Sequence, residues 1–169
     1  VKQEKQKAMK TSEILFSKPV IVTWDQAYKA DFERLNREWI ESIFSIEPSD
    51  LVLFNDPQKE VINKGGQIFF AIKNDEAVGC VALIRHQKDV YEISKLSVSR
   101  KERGFGLGKL LIDSVIQYAR HTNIKELVIE SNSILTNAIH LYKKYGFQEV
   151  KDFVPSYKRV NAKYIKSIN

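Results

Sequence analysis

The sequence predicts one α/β domain: a mixed, mostly antiparallel sheet flanked by helices, with a parallel strand–helix–strand unit at its centre. Three observations carry this expectation. Short β-branched and aromatic runs, broken by turn residues, give successive strands in the middle of the chain. A helical apolar stripe and then a buried-type strand follow them, the order of a right-handed crossover. At 169 residues the chain has the length of one domain that buries a core without disulfide or metal staples.

Composition narrows the class. The chain is 43% hydrophobic and 28% charged, so a folded globular state is the expectation rather than disorder. Its one cysteine, Cys80, excludes an internal disulfide and a cysteine-built zinc site, and favours a reducing compartment, the cytoplasm. The apolar runs are too short for a membrane span or a signal-peptide core. The net charge of +6 suits an anionic ligand as readily as nucleic acid, but no recognition-helix or RNA-binding motif accompanies it. His86, His121 and His140 are scattered, form no metal-ligand pattern, and take core or surface roles by default. Residues 1–18 read as a basic polar tail and residues 19–168 as the folded domain.

Taken in order, Pro19–Trp24 is a β-branched strand. Asp25 can cap the helix after it, whose apolar stripe is Ala27, Phe32, Leu35, Trp39, Ile40 and Ile43. Glu47–Pro57 holds Pro48, Asn55, Asp56 and Pro57 and reads mostly as loop. Gln67–Ile72 and Ala77–His86 flank the turn-like Lys73–Glu76 as a hairpin, and Val90–Ser99 adds a third strand. Leu107, Leu110, Leu111, Val115, Tyr118 and Ala119 mark a helix that stops near Asn123. Glu126–Glu130 is a buried-type strand. Thr136 or Ser133 can cap a short helix through Tyr145, which Gly146 ends. Phe147–Val154 and Tyr157–Ile165 read as two final strands.

The stretch between the third strand and the long helix, Arg100–Leu111 (RKERGFGLGKLL), carries the chemistry. Glycine before a helix costs backbone entropy, so something must approach this backbone closely. A helix N-terminus offers unpaired N–H groups and partial positive charge. Gly104, Gly106 and Gly108 leave consecutive amides uncovered, and Arg103, Lys109 and Arg100 or Lys101 add charge. The spacing fits neither a Walker loop nor a dinucleotide fingerprint: Leu110 follows Lys109, and the glycines run GxGxG. An anion site is favoured over a plain glycine-rich turn.

Arg103-Gly104-Phe105-Gly106-Leu107-Gly108 resembles the (Gln/Arg)-x-x-Gly-x-(Gly/Ala) motif of the GNAT superfamily of acyl-CoA-dependent N-acetyltransferases. Ala138–Phe147 (AIHLYKKYGF) is similar to the family's A-x-x-L-Y-x-x-x-G-F segment. LNREWI, GGQIFFA, YEISKLSV and SNSILTNAIHLY further resemble a subgroup that includes domains fused behind MarR-type regulators. The resemblance covers residues 19–168 and implies the GNAT fold. It also implies that acetyl-CoA is the co-substrate, without a metal, and that its pyrophosphate sits on the amides and side chains of Arg103–Lys109. One departure stands out. Many relatives carry asparagine seven residues before the tyrosine of Leu-Tyr, where this chain has Leu135, so Asn132 or Asn137 is the residue expected beside the pantetheine arm.

The resemblance implies acetyl transfer to a primary amine of a small molecule, amino acid or peptide, by direct attack. The amine must first lose a proton, the thioester oxygen needs an amide donor as charge builds on it, and the departing thiolate needs a proton or a hydrogen bond. Tyr142 matches the family's acid. With a phenol near pKa 10 and a thiol near 8.5, complete transfer runs uphill by ~2 kcal/mol, so a hydrogen bond is its stronger contribution. Its plain alternative is a packing tyrosine. Glu92 is the candidate base, directly or through water. Its segment, Glu92–Leu96, is similar to the family's Glu-Leu-x-Lys-Met, and a two-residue period puts Glu92, Ser94, Leu96 and Val98 on one face. Its plain alternative is a solvent-facing glutamate. Backbone groups of Leu96, Ser97 and Val98 are expected to hold the pantetheine where strands splay. Trp39, Phe44, Glu47, Tyr157, Arg159 and Asn161 are the candidates for the acceptor pocket, and Arg159, if inward, suits a carboxylate. No nucleic acid or membrane partner is expected, and a homodimer is compatible with this reading. The competing class is a non-catalytic acyl-CoA-binding domain.

Overall fold

The computed structural model describes residues 18–168, so the expected basic tail, Lys18 apart, lies outside the described residues. Seven strands form one sheet in the order β1-β2-β3-β4-β5-β7-β6. β1 (Val20–Thr23), β2 (Gln67–Lys73), β3 (Glu76–Arg85) and β4 (Val90–Val98) are successively antiparallel. β5 (Glu126–Ser131) is parallel to β4. β7 (Ala162–Ser167) lies antiparallel between β5 and β6 (Gln148–Val150). Asn74 and Asp75 turn the β2–β3 hairpin with φ of 51° and 62°, the left-handed pair that such turns need.

β3 is buried on both faces from Ala77 to Leu83, because helices cover the sheet on each side. On one side α1 (Lys29–Ile40) and α2 (Pro48–Asn55) set Phe32, Leu35 and Phe54 against Phe70, Cys80 and Ala82. On the other, α3 (Leu107–His121) sets Leu111, Ile112 and Val115 against Val81, Leu83 and Ile129. α4 (Thr136–Lys144) adds Tyr142 to that second core.

The structure corrects several element boundaries. Asp25 caps a short 3-10 turn, Gln26–Tyr28, accepting from the Ala27 amide at 2.8 Å, and α1 follows it. α1 stops at Ile40, which leaves Ile43 50% exposed instead of on the core stripe. The loop expected over Glu47–Pro57 is largely α2. Proline at a first helical position gives up an N–H that has no partner there anyway, and Asp50 reaches back to accept from the Glu47 amide at 2.9 Å. Neither Thr136 nor Ser133 caps α4; Leu135 occupies that position. The last two strands are shorter than expected. Residues 157–160 turn instead, with the Val160 amide bonded to the Tyr157 carbonyl at 3.1 Å. Glu47 holds that turn by accepting from the amides of Lys158 (2.9 Å) and Arg159 (3.3 Å).

The two-residue period of β4 also breaks. Lys95 has φ of 55°, and the register slips there: Ala82 faces Ser94, but Cys80 faces Ser97. This bulge puts Ser97 on the α1 side with Glu92 and Ser94, and sends Leu96 and Val98 to the α3 side. β4 leaves β5 just before it. The parallel pairs are Val90↔Glu126, Tyr91↔Leu127 and Glu92↔Val128, and beyond them the strands splay.

A buried ion network braces the bulge. Asp50, fully buried, lies 2.9 Å from Lys95 Nζ and receives a bidentate guanidinium from Arg159 at 2.7 Å for each bond. Burial pushes the Asp50 carboxyl up, but Arg159, Lys95 and the Glu47 amide outweigh it and bring it from 3.8 to about 2. A carboxyl depressed in the fold stabilises it fully above its unfolded value and loses that contribution as pH falls through the folded value. Wild-type stability is therefore expected to drop by about 2 kcal/mol between about pH 4 and pH 2 through this group. Asp50→Asn should lack that part of the acid limb. Urea unfolding midpoints of both proteins across that range check it; parallel pH curves would show that Asp50 is not the group responsible.

Candidate active site

The splay opens a cavity of about 130 Å³ between β4, β5 and α4. Glu92, Lys95 and Leu96 line it from β4, Tyr142 and Ala138 from α4, and Ser131 and Asn132 from the end of β5. Trp39 and Phe44 close it from the α1 end, their rings 6.1 Å apart, and Tyr157 and Arg159 from the turn before β7. Sequence candidates far apart in the chain thus meet here: Glu92, Tyr142, Leu96, Asn132, Trp39, Phe44, Tyr157 and Arg159.

Glu92 is buried, so its solvent-facing alternative fails. Its Oε2 lies 2.6 Å from His86 Nε2, and the His86 side chain is 46% exposed. This carboxylate bond raises the His86 pKa above 6.5 against the opposing effect of burial, with Glu130 adding to the rise and Lys163 opposing it. His86 is a functional candidate that the sequence reading left with a default role. Ile84 pairs with Glu92 across the hairpin, so His86 is a diagonal neighbour on the same face. A hairpin register drawn from sequence would have found it.

Tyr142 serves packing and cavity at once. Its ring lies 6.3 Å from Phe147 and 6.1 Å from Tyr164, and it also lines the cavity. Burial raises the phenol to about 12, partly offset by a hydrogen bond with the Ser131 hydroxyl. Asn132 lines the cavity, but its side chain is engaged: Nδ2 donates to the Arg159 carbonyl at 2.6 Å and Oδ1 accepts from the Ile134 amide at 3.0 Å. Leu135, where the family resemblance expects asparagine, lines it too.

Other candidates fall outside this cavity. The Ser97 hydroxyl is buried and donates to the Leu35 carbonyl at 2.6 Å, leaving only backbone available at that position. Asn161 is tied to Ser133, accepting from its amide at 2.7 Å and donating to its hydroxyl at 3.0 Å. Glu47 holds Arg159 and its turn. Cys80 lies under the bulge, its Sγ donating to the Lys95 carbonyl at 3.7 Å, and burial pushes its thiol up to about 12.

Further along β4 and α4 a second hollow, about 330 Å³, is built on the glycine loop. Gly104 and Gly106 have φ of 85° and 82°, a backbone that side chains rarely adopt, and a Cβ on either would meet nothing within 4 Å. Glycine is needed here for the turn, and its bareness leaves the start of α3 uncovered. Gly106 caps α3, whose first N–H groups have no partner within the helix. Arg103, Lys109, His140 and Lys144 line the hollow, together with Val98 and Asn137. Arg103 Nε donates to the Val98 carbonyl at 3.0 Å, and Lys73 neutralises Glu102 at 2.8 Å. Bare helix amides ringed by basic groups suit a polyphosphate. Phe105 is 77% exposed and lies outside the lining. The sequence left His140 with a default role and did not single out Lys144, although Asn137, His140, Leu141 and Lys144 repeat at the spacing of one helix face.

Comparison with known proteins agrees with this architecture. The Acetyltransferase (GNAT) family profile matches residues 24–147. N-acetyltransferase 8F1 of Rattus norvegicus is 28% identical over 116 residues, 66% of this chain and 51% of its own length. The chain thus spans about half the length of the first curated relatives it matches. A GNAT-family acetyltransferase from Staphylococcus aureus Mu50 superposes with a TM-score of 0.82 at 24% identity, over 89% of this chain and 99% of its own. The protein yncA of Salmonella typhimurium, solved with its cofactor acetyl-CoA, gives a TM-score of 0.70 at 16% identity, over 90% of this chain and 95% of its own. These two share the fold. With a profile match across most of its length, this chain belongs to the Acetyltransferase (GNAT) family.

Proposed function

We propose that the chain is an N-acetyltransferase that moves an acetyl group from acetyl-CoA to a primary amine by direct attack, with residues 19–168 as the transferase domain. One observation supports this most: Glu92 and Tyr142 line the same gap in the sheet, and the glycine-loop hollow follows it along the same strand and helix. Acetyl-CoA supplies an activated thioester. The loop amides, Arg103 and Lys109 bind its phosphates, with His140 and Lys144 adding charge. The free edge of Leu96–Val98 and Asn137 accompany the pantetheine arm. The buried thiol of Cys80 fits a reducing compartment, the cytoplasm.

Glu92 takes the proton that the ammonium must lose, and His86 connects that carboxylate to solvent. The amine nitrogen then bonds to the acetyl carbon as the carbon–sulfur bond breaks. A phenol near 12 giving its proton to a thiolate of ordinary pKa would climb by about 5 kcal/mol. Tyr142 therefore stabilises the departing sulfur by donating a hydrogen bond, and the thiolate takes its proton from solvent.

Two outcomes test this reading. Coenzyme A at a hundred times its dissociation constant should stabilise the fold by ~2.7 kcal/mol, seen as a rise of roughly 5–10 °C in melting temperature. Gly106→Val should abolish the shift, because a β-branched residue resists the left-handed turn and covers the amides. A variant that folds and still binds coenzyme would refute the loop assignment.

Tyr142→Phe should slow the chemical step roughly ten- to a thousandfold with little change in coenzyme binding. Glu92→Gln should lose activity most at low pH and recover as the amine deprotonates unaided. Rapid-quench single turnovers and pH–rate profiles on an accepted amine measure both. Full activity in either variant removes that residue from the chemistry. Coenzyme binding with no transfer to any amine would favour the non-catalytic acyl-CoA-binding domain.

A further inference from the structure

An inward Arg159 would suit a substrate carboxylate, with a surface arginine as its plain alternative; the structure places it in the cavity lining but engages it elsewhere. Its two terminal nitrogens donate to the two oxygens of Asp50 at 2.7 Å each, and Nη1 also reaches Glu47 at 3.3 Å. Lys95, the other cation lining the cavity, shares the Asp50 carboxylate at 2.9 Å and donates to the Tyr157 hydroxyl at 3.0 Å. Lys95 Nζ and Arg159 Cζ each also lie 4.3 Å from the centre of the Tyr157 ring. The Lys95 and Arg159 side chains are 4% and 11% exposed, and Asp50 is 0%. Turning either cation toward a ligand would cost the buried Asp50 carboxylate one of its two cationic partners, and turning Arg159 would also cost Glu47 its pair, which is unfavourable.

The charged groups that remain in the lining are acidic. Glu92 is bonded to His86. Glu130 Oε2 accepts from the Ser156 amide at 2.9 Å, and among the described residues Glu130 forms no ion pair. Trp39, Phe44 and Leu96 add apolar and aromatic surface, and Ser94 is an uncharged polar neighbour of Glu92 in the same lining. A cation gains from two carboxylates and aromatic faces in a weakly screened cavity. A carboxylate beside the amine would meet Glu130 as a like charge and Glu92 as one that His86 partly offsets, with no uncommitted cation among the described lining residues to attract it.

We infer that the acceptor is a cationic amine with an aromatic or alkyl body and no carboxylate next to its nitrogen: an arylalkylamine rather than the matching α-amino acid. This rests on the transferase reading above. The test uses pairs that differ only in that carboxylate, tryptamine against tryptophan and phenethylamine against phenylalanine, with the amino-acid methyl esters as a third member. Thiol release gives kcat/KM, and calorimetry on protein loaded with desulfo-coenzyme A gives binding without turnover. Each amine is expected to exceed its amino acid at least tenfold, and the ester to recover most of the difference. Asp50→Asn should narrow the gap by freeing Arg159; the ester comparison decides the question if that variant does not fold. Equal use of amine and amino acid, preference for the amino acid, or binding of neither overturns the inference. Selective binding of the amines without acetyl transfer supports it while refuting the transferase reading.

Discussion

The parting of β4 from β5 after Glu92↔Val128 is the constraint on which the rest of the structure depends. Within a sheet, each buried N–H and C=O needs a partner. Where two adjacent strands separate, their facing edges must be wetted, capped or met by something else of matching polarity. Here the gap lies between two cores, so neither strand can close it without disturbing the helices on both sides. An extended ligand with amide groups fits such an edge as a missing strand would. The glycine-loop hollow lies further along the same strand, where the proposed coenzyme would place its phosphates.

Holding the gap open has an energetic cost. Lys95 occupies a left-handed conformation that disfavours any side chain by roughly 1–2 kcal/mol. Its neighbours compensate electrostatically. Asp50 on α2 draws in both Lys95 and Arg159, so one buried carboxylate ties the bulge, a helix start and the turn before β7 together. Apolar packing could fill the same volume, but it would not require the ammonium to lie at one depth and one angle. The network fixes geometry, and with Glu47 also paired to Arg159 its two cations are matched by two carboxylates.

How much of this was legible in the sequence depended on whether the governing interaction was local. Strands β1 to β5 and α3 follow from short-range patterning, and the glycine loop from its own residues. α2 was read as loop because Pro48 looked like punctuation, although proline at a first helical position is a start signal. The start of β7 was misread because Glu47, more than a hundred residues away in sequence, holds the backbone at Lys158 and Arg159. The bulge reversed the expected face of Leu96 and Val98, since a period-two count has no way to register a single turned residue. Glu92 and Tyr142 were singled out through family likeness, and both line the cavity. Their partners His86 and Ser131 required the register of neighbouring strands and helix.

Under the proposed function, Cys80 bears on the fate of the thioester that this gap would hold. It is the only thiol in the sequence, it has no exposed surface, and it stays protonated far above neutral pH. Sulfur exchanges acyl groups with sulfur through the thiolate, so a surface cysteine of ordinary pKa near a bound acyl donor would capture it in a dead-end self-acylation. Burial beneath the bulge withdraws this sulfur from that competition. In the proposed reaction the acyl group would then partition between water and the incoming nucleophile.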